Sequence, residues 1–140
     1  MNINLWQITF KKTMNSFFVK KIQVVYNKKV WDNYYQHWLK SNHSLEELFV
    51  FHGTSLNDPS LIYTNGLRAE KTQSGLYFAI KSESNGFTYK NTDCSQIFIC
   101  RILIPRQNVS PRFHVIKNND HHYPQYLISY NSKYRNSIML

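Results

Sequence analysis

Residues 48–54, LFVFHGT, and residues 75–79, GLYFA, decide how this chain is interpreted. The first segment is an apolar run that ends abruptly at His52 and Gly53. A run of this kind, bounded by a turn signal, is typical of a buried strand with a polar group at its tip. The second segment opens with a glycine and carries Tyr77. An imidazole beside a glycine lets a planar ligand approach the backbone closely, so the two segments predict a binding site at a strand end.

Length and composition predict one folded domain over residues 1–140. Hydrophobic residues make up 42% and aromatic residues 16% of the 140 residues, which is typical of a globule and not of a disordered chain. No apolar stretch approaches the roughly 18–20 residues that a membrane span needs. Lys11, Lys12 and Asn15 interrupt the N-terminal apolar residues, so we expect no signal peptide, an intracellular location and no membrane association. We also expect Cys94 and Cys100 to be ordinary reduced cysteines.

Positive charge is concentrated at the two ends of the sequence. The net charge is +6 over residues 1–40, −2 over residues 41–100 and +5 over residues 101–140, which gives the total of +9. Such flanks attract polyanions, including nucleic acid, or form a solvated lysine-rich surface without a specific partner. Histidines 114, 121 and 122 lack cysteine or carboxylate partners at ligand spacing, so we predict no metal site.

The pattern of apolar residues predicts an α+β fold with packed or split mixed β-sheets and few short helices. Strands are expected over 17–25, 48–51, 76–79, 97–104, 113–116 and 126–130, for a total of six or seven. A helix over 30–39 carries an aromatic stripe at i, i+3, i+4 and i+7, which indicates core packing; its members are Trp31, Tyr34, Tyr35 and Trp38.

A second, short helix is predicted directly after the first site segment. Asn57 or Asp58 is its N-cap, Pro59 is its first residue, and Asn65–Gly66 is its C-terminal signal.

Four motifs in this order resemble the catalytic domain of the poly(ADP-ribose) polymerase family, a group of diphtheria-toxin-like ADP-ribosyltransferases. They are HGT at 52–54, NGLR at 65–68, GLYFA at 75–79 and YPQYLI at 123–128. The resemblance extends over about residues 17–130. It implies an ADP-ribosyltransferase fold in a minimal version with shortened loops, and NAD as the co-substrate. The chain has only eight residues between Ile104 and Phe113, where the family usually has some thirty.

The resemblance implies a role for each matching residue. The backbone of Gly53 would hold the nicotinamide carboxamide, His52 would bond the 2′-hydroxyl of the adenosine ribose, and Tyr77 would stack on the nicotinamide. The implied NAD-binding positions are His52, Gly53, Thr54, Arg68, Tyr77, Ser84, Phe87 and Tyr89.

Two of these assignments have alternatives, and one lies apart from the nicotinamide. Ser84 and Phe87 keep the family's spacing of a serine and an aromatic residue three positions later. Tyr89 is a rival for the second stacking ring, and Ser82 is a weaker rival for the hydroxyl. Arg68 would lie beneath the NAD diphosphate.

The third catalytic position predicts the reaction type. Chain-forming members of the family have a glutamate there, and mono-transferring members have an apolar or aromatic residue. Counting ten residues back from Tyr123 gives Phe113, so the implied catalytic residues are His52, Tyr77 and Phe113. A phenyl ring cannot orient a hydroxyl or act as a base, so chain elongation is not expected.

Three classes of function follow from these observations. The first is an NAD-dependent mono-ADP-ribosyltransferase that acts on a protein or nucleic-acid acceptor. The second is a catalytically inactive relative that binds NAD, ADP-ribose or nucleic acid. The third is a general polyanion-binding protein that shares only the fold. Retention of both His52 and Tyr77 favours the first.

Overall fold

The computed structural model describes residues 17–53, 58–68, 75–80, 89–90, 95–106 and 112–132. The first half of this part contains β1 Phe17–Val24, α1 Lys28–Lys40, β2 Leu45–His52 and α2 Pro59–Asn65. The second half contains β3 Leu76–Ala79, β4 Tyr89–Lys90, β5 Ser95–Pro105, β6 Phe113–Ile116, a 3-10 turn Asn119–His121 and β7 His122–Ser132.

The strands form one hydrogen-bonded sheet in the order β1-β7-β5-β2-β3-β6, with β4 on β5. Every pairing in the described chain is antiparallel, so the predicted mixed sheets are wrong for these residues. Parallel neighbours need a long crossover, usually through a helix. Here α1 connects β1 to β2, which are not adjacent in the sheet. Helix α2 connects β2 to β3, which pair antiparallel. The predicted split is not seen in the described strands, because β2 and β3 remain joined in one sheet through the pairing of Phe51 with Ala79.

Helix α1 is longer at both ends than the predicted 30–39. The side chain of Asn27 accepts a hydrogen bond from the backbone N–H of Val30 at 3.1 Å, which caps the N-terminus. At the other end, the Ser41 hydroxyl donates to the carbonyl of Trp38 at 2.7 Å. Lysines at positions 28 and 29 do not fit the apolar periodicity, so the capping residue, and not the stripe, determines where the helix begins.

Most of the aromatic stripe packs against the sheet as predicted. Tyr34 is fully buried, and Trp31 stacks on it with ring centroids 5.7 Å apart. Trp31 also meets the ring of Tyr123 at 5.1 Å in an edge-on arrangement. Trp38 packs on the same cluster, whereas Tyr35 is 41% exposed. The inclusion of Tyr35 in the core was therefore wrong, because it lies on the solvent side of the stripe.

Helix α2 has the predicted bounds. The Asp58 carboxylate accepts from the backbone N–H of Ser60 at 2.8 Å, and a proline occupies the first helical position. The helix ends at Gly66, which has φ +78° and donates its N–H to the carbonyl of Ile62 at 2.6 Å. A positive φ favours glycine, which explains the C-terminal signal.

The sheet is buried on both faces around β5, which explains its nearly continuous apolar sequence. One face packs against α2, and its buried cluster comprises Val25, Val50, Ile62, Leu67, Leu76, Phe78, Phe98, Cys100, Ile102, Ile104, Ile116 and Leu127. The opposite face has a second cluster of Phe51, Ala79, Ile97, Ile99, Ile128 and Tyr130. Cys100 is a free thiol whose pKa is raised by burial, as expected for an inert core cysteine. Cys94 lies outside the described residues.

A polar bridge connects α1 to the sheet. The Glu47 carboxylate accepts from the Tyr34 hydroxyl at 2.8 Å and from the Arg101 guanidinium at 2.9 Å. Burial, with the Glu47 carboxylate, raises the pKa of Tyr34, so the hydroxyl stays protonated as the donor. The guanidinium lies 4.7 Å from the ring centroid of Phe49 and 5.4 Å from that of Trp31. These contacts fix the helix orientation because each polar group has a partner.

Neither helix of the described chain is long and apolar enough to cross a membrane.

Candidate active site at the junction of β2, β3 and β6

His52 is the last residue of β2, at the point where the sheet continues into β3. Its Nδ1 lies 2.8 Å from the backbone carbonyl oxygen of Tyr77, and its ring centroid is 5.2 Å from that of Phe78. A carbonyl oxygen can only accept, so Nδ1 carries the proton and Nε2 of the neutral ring keeps a lone pair. Burial lowers the pKa of His52 below 6.5, and the bond to the Tyr77 carbonyl opposes this shift only in part. At neutral pH the side chain is therefore a neutral acceptor at Nε2.

Tyr77 is the exposed residue of an otherwise buried strand. Leu76, Phe78 and Ala79 are buried, whereas the Tyr77 side chain is 52% exposed. Successive strand residues face opposite sides, so the ring of Tyr77 lies on the surface opposite to Phe78. A half-exposed phenol ring held on a strand can stack against a planar ligand.

Phe113 lies on the same surface as Tyr77. It is the first residue of β6 and pairs with Ala79, while Tyr77 pairs with Val115. Phe113 and Tyr77 are therefore diagonal cross-strand neighbours, a relation that brings Cβ atoms to about 7–8 Å. The Phe113 side chain is 37% exposed, and the guanidinium carbon of Arg112 lies 5.8 Å from its ring centroid. Tyr77 and Phe113 thus share one surface of the sheet. The His52 ring instead contacts Phe78, which faces the opposite side, and its hydrogen bond is to the backbone of Tyr77.

The register of β3 depends on Gly75. This residue has φ +96°, and a Cβ built on it would lie 3.0 Å from the carbonyl oxygen of Ile116. A side chain here would meet the backbone of β6, so glycine is needed for the close approach of the two strands. The opening glycine of the GLYFA segment thus has a structural reason.

The remaining predicted nicotinamide contacts are only partly described. Gly53 follows β2 and is partly buried. Thr54, Ser84 and Phe87 lie outside the described residues, as does Ser82. The backbone of Tyr89 begins β4, but its side chain is outside the described part. The choice between Phe87 and Tyr89 for the second ring stays open.

Arg68 lies in a separate cleft between the start of α1, the end of α2 and the 3-10 turn. The cleft has a volume of about 240 Å³ and is lined by Asn27, Lys29, Val30, Asn33, Thr64, Asn65, Gly66, Leu67, Arg68, Asn119 and Asp120. None of the three implied catalytic positions lines it. The sequence did not predict this cleft, because its walls come from three segments that are distant along the chain. The feature that these segments share in the sequence is a high content of asparagine.

Three further histidines, at positions 114, 121 and 122, do not form a metal centre with other described residues. His114 is buried opposite Phe78, and His122 has its ring centroid 5.8 Å from that of Phe78. His121 instead faces His37, with centroids 5.6 Å apart. Within the described residues, no three histidine, cysteine, aspartate or glutamate side chains are grouped as a metal site.

Comparison with known proteins gives one informative similarity. No family model matches the chain. A probable poly(ADP-ribose) polymerase of Dictyostelium discoideum is 33% identical over 161 residues, which cover 89% of this chain and 48% of that protein. This similarity agrees with the four motifs that resemble the poly(ADP-ribose) polymerase family. The small α+β domain, with its antiparallel sheet and two helices, is compatible with the catalytic fold of that family.

The same comparison limits how much is transferred from the relative. This chain spans about half the length of that protein. The 161 aligned positions exceed the 140 residues of this chain, so the relative carries segments that this chain lacks. The single-domain organisation and the role of each site residue stay predictions.

Proposed function

We propose that the chain is an NAD-dependent mono-ADP-ribosyltransferase. It would transfer one ADP-ribose unit from NAD to a macromolecular acceptor and release nicotinamide. The observation that carries the proposal is the 2.8 Å hydrogen bond that joins the His52 ring to the backbone carbonyl of Tyr77, whose side chain is exposed. These two residues belong to the HGT and GLYFA motifs, in a chain similar to a probable poly(ADP-ribose) polymerase.

His52 would orient the adenosine end of NAD. Its Nε2 lone pair accepts a hydrogen bond from a ribose hydroxyl, because Nδ1–H is committed to the Tyr77 carbonyl. The lowered pKa of His52 keeps this acceptor available at neutral pH. Protonation would turn Nε2 into a second donor. The oxygen of a ribose hydroxyl could then accept from it, and the hydroxyl proton would need another acceptor.

Tyr77 and Gly53 would position the nicotinamide. The exposed ring of Tyr77 offers a stacking face, and the backbone of Gly53 offers an N–H and a C=O to a carboxamide. Ser84, with Phe87 or Tyr89, would complete this binding set. Because all of these are orienting contacts, catalysis would depend on alignment more than on proton transfer.

The reaction breaks the bond between the ribose C1′ and the nicotinamide nitrogen, and the electron pair leaves with nicotinamide. A nucleophilic atom of the acceptor forms the new bond to C1′ and loses its proton to solvent or to a neighbouring acceptor group. Phe113 offers no carboxylate to activate a second ribose hydroxyl. The proposed product is therefore a single unit at each site, and NAD and the acceptor are the proposed partners.

The lack of a catalytic group on the Phe113 side chain also favours a second candidate, an inactive module that binds NAD or ADP-ribose. In that case the protein would bind NAD without releasing nicotinamide. Calorimetry with NAD and with a benzamide-type competitor, run beside a nicotinamide-release assay, separates the two. No binding at millimolar ligand would contradict both candidates.

The experiment that tests the leading proposal is incubation with labelled NAD and a cell lysate, with and without nuclease, followed by mass spectrometry of the labelled acceptors. We expect adducts of one ADP-ribose unit. Chains of two or more linked units would contradict the assignment of Phe113. The variant Phe113→Glu tests whether a carboxylate alone permits elongation; we expect single units from it as well, because the loop after Ile104 is short.

A further inference from the structure

The cleft that contains Arg68 is rich in groups that bind phosphates and bases. Lys29 and Arg68 line it and are exposed, and neither forms an ion pair with another described residue. Its one carboxylate, Asp120, lies 3.6 Å from Nε2 of His37. The cleft therefore has an excess of positive charge. Asparagine side chains on its walls can donate and accept hydrogen bonds, as base edges and sugar hydroxyls require.

Two exposed aromatic rings belong to the segments that form the cleft wall. The Tyr26 side chain is 80% exposed, and that of Tyr63 is 40% exposed. Asn27, next to Tyr26, donates through Nδ2 to the carbonyl of Tyr63 at 3.4 Å and to that of Thr64 at 2.9 Å. These bonds hold the two tyrosine-bearing segments side by side. The Tyr26 ring is largely exposed, and part of the Tyr63 ring is exposed, so both offer surface to a ligand.

We propose that the cleft and its two flanking tyrosines bind single-stranded nucleic acid. Phosphates would contact Lys29 and Arg68, and unpaired bases would stack on Tyr26 and Tyr63. Positive grooves beside aromatic rings are the general solution for binding single strands, since every base has a face to stack. An acidic peptide matches the charge but offers no planar groups for the tyrosines. A duplex matches the phosphates but keeps its bases stacked on each other.

This inference names the acceptor class for the site at His52, and in that respect it rests on the proposed function. The binding itself does not require transfer, so it is tested without NAD. Arg68 is also the residue assigned to the NAD diphosphate, and the experiment therefore changes Lys29 and Tyr26, to which no NAD contact is assigned.

The charge contribution is tested by fluorescence anisotropy with a labelled oligonucleotide of about ten nucleotides, as RNA and as DNA, over a range of salt concentrations. Lys29→Gln should weaken binding several-fold at low salt and reduce the slope of log K against log salt by about 0.7, the loss of one phosphate contact. The matched control is Lys40→Gln, which removes the same charge from the last turn of α1, away from the cleft. Its affinity should stay close to that of the unmodified chain.

The aromatic contribution is tested with a pair of variants at one position. Tyr26→Leu should weaken binding roughly 10-fold, and Tyr26→Phe should keep the affinity because it keeps the ring. Equal losses in both would show that the hydroxyl and not the ring is used, which contradicts stacking. Circular dichroism confirms that each variant is folded.

Three further results would overturn the proposal. Equal weakening by Lys29→Gln and Lys40→Gln would show a diffuse charge effect without a site. A duplex or polyglutamate of equal charge that binds as tightly as the single strand would contradict the specificity. Complete displacement of the oligonucleotide by saturating NAD would assign the cleft to NAD itself. Binding that survives these controls without any ADP-ribose transfer would support the cleft and contradict the proposed function, so the two failures are distinguishable.

Discussion

Strands β7, β5 and β2 bury more of their side chains than the β3–β6 pair does. Strand β5 pairs with β2 from Leu45 through His52 and is buried along most of its length. Strands β3 and β6 are four residues each; β6 alternates between exposed and buried side chains, and β3 exposes Tyr77 between buried neighbours. Strands β2, β5 and β7 thus supply most of the buried apolar residues, whereas the short pair exposes a face that carries Tyr77 and Phe113. All three implied catalytic residues lie on this pair or at its junction with β2.

The two regions meet within a single strand, because Phe78 and Tyr77 are adjacent but face opposite sides. One contributes to the core and the other to the proposed site. Substitutions at these neighbours should therefore separate folding from chemistry more sharply than substitutions at distant positions.

The largest effect is expected for Phe78→Ala. Its side chain is fully buried in the cluster under α2, so truncation should cost about 3–5 kcal/mol of unfolding free energy. Urea denaturation followed by circular dichroism measures this change. Phe78→Leu is the control, and it should cost about 1.5 kcal/mol or less because most of the volume is kept. A loss under about 1 kcal/mol for the alanine variant would contradict the assignment of β3 to the core.

The next effect is on activity, for Tyr77→Ala and His52→Ala. Loss of the stacking face or of the ribose contact should cost roughly 2–4 kcal/mol of transition-state stabilisation, about 30- to 1000-fold in rate. Tyr77→Ala should change the unfolding free energy by less than about 0.5 kcal/mol. His52→Ala should also lose about 1 kcal/mol of stability, because the bond to the Tyr77 carbonyl disappears. Transfer assays on folded variants check these values, and an unchanged rate in either would contradict its role.

A smaller effect is expected for Gly75→Ala, at the residue directly before β3, where the chain approaches the end of β6. A Cβ here would require φ +96° and would lie 3.0 Å from a backbone oxygen, so we expect about 1–3 kcal/mol of destabilisation. The matched control is Gly66→Ala, with φ +78° and its nearest contact, 3.2 Å, to the side chain of Val30. A side chain can shift more easily than a backbone, so the control should lose less stability. Thermal unfolding of both variants makes the comparison. Equal losses of stability would show that the close approach of β3 and β6 at Gly75 does not need a glycine.

The smallest expected effect is a pH dependence of stability, which comes from the buried residue His114 of β6. Burial lowers the pKa of His114, against an opposing influence of Glu46. As pH falls below about 6.5, the unfolded chain takes up the proton first, so stability should decrease with acidity and stay flat above that value. His114→Gln should reduce the slope by less than one proton, or under about 1.4 kcal/mol per pH unit. Denaturant midpoints from pH 7.5 to 5 provide the test; an identical slope in the variant would contradict it.

Local signals in the sequence predicted much of the fold. Helix α2 was predicted with its bounds, because Asp58, Pro59 and Gly66 each act within one turn of the chain. Strand β6 likewise has the predicted bounds. Strand β7 begins earlier than the predicted 126, because the ladder with β5 accommodates Pro124 at a register shift next to Cys100. A proline in a strand indicates a break unless the partner strand supplies an irregularity, and that depends on tertiary contacts.

Less of the site was accessible from the sequence. The motifs indicated His52 and Tyr77 as a pair, but not that a side-chain nitrogen of one would bond the backbone of the other. The antiparallel direction of every described pairing and the two-residue strand β4 also depend on long-range contacts. The cleft at Arg68 joins segments that are about thirty and about fifty residues apart in the sequence, for which no local pattern exists.

The half-exposed position of Phe113 has an evolutionary consequence. The residue sits at the end of a short strand, and its ring has little of the packing that would restrict its replacement. Exchanges there should change folding free energy only slightly, so mutations can accumulate at that position without being removed by misfolding. In the proposed enzyme a carboxylate at this position is needed for chain growth, but the short loop after Ile104 keeps it from being sufficient. Product type should therefore change in a lineage only when an exchange at position 113 is joined by a longer loop after Ile104.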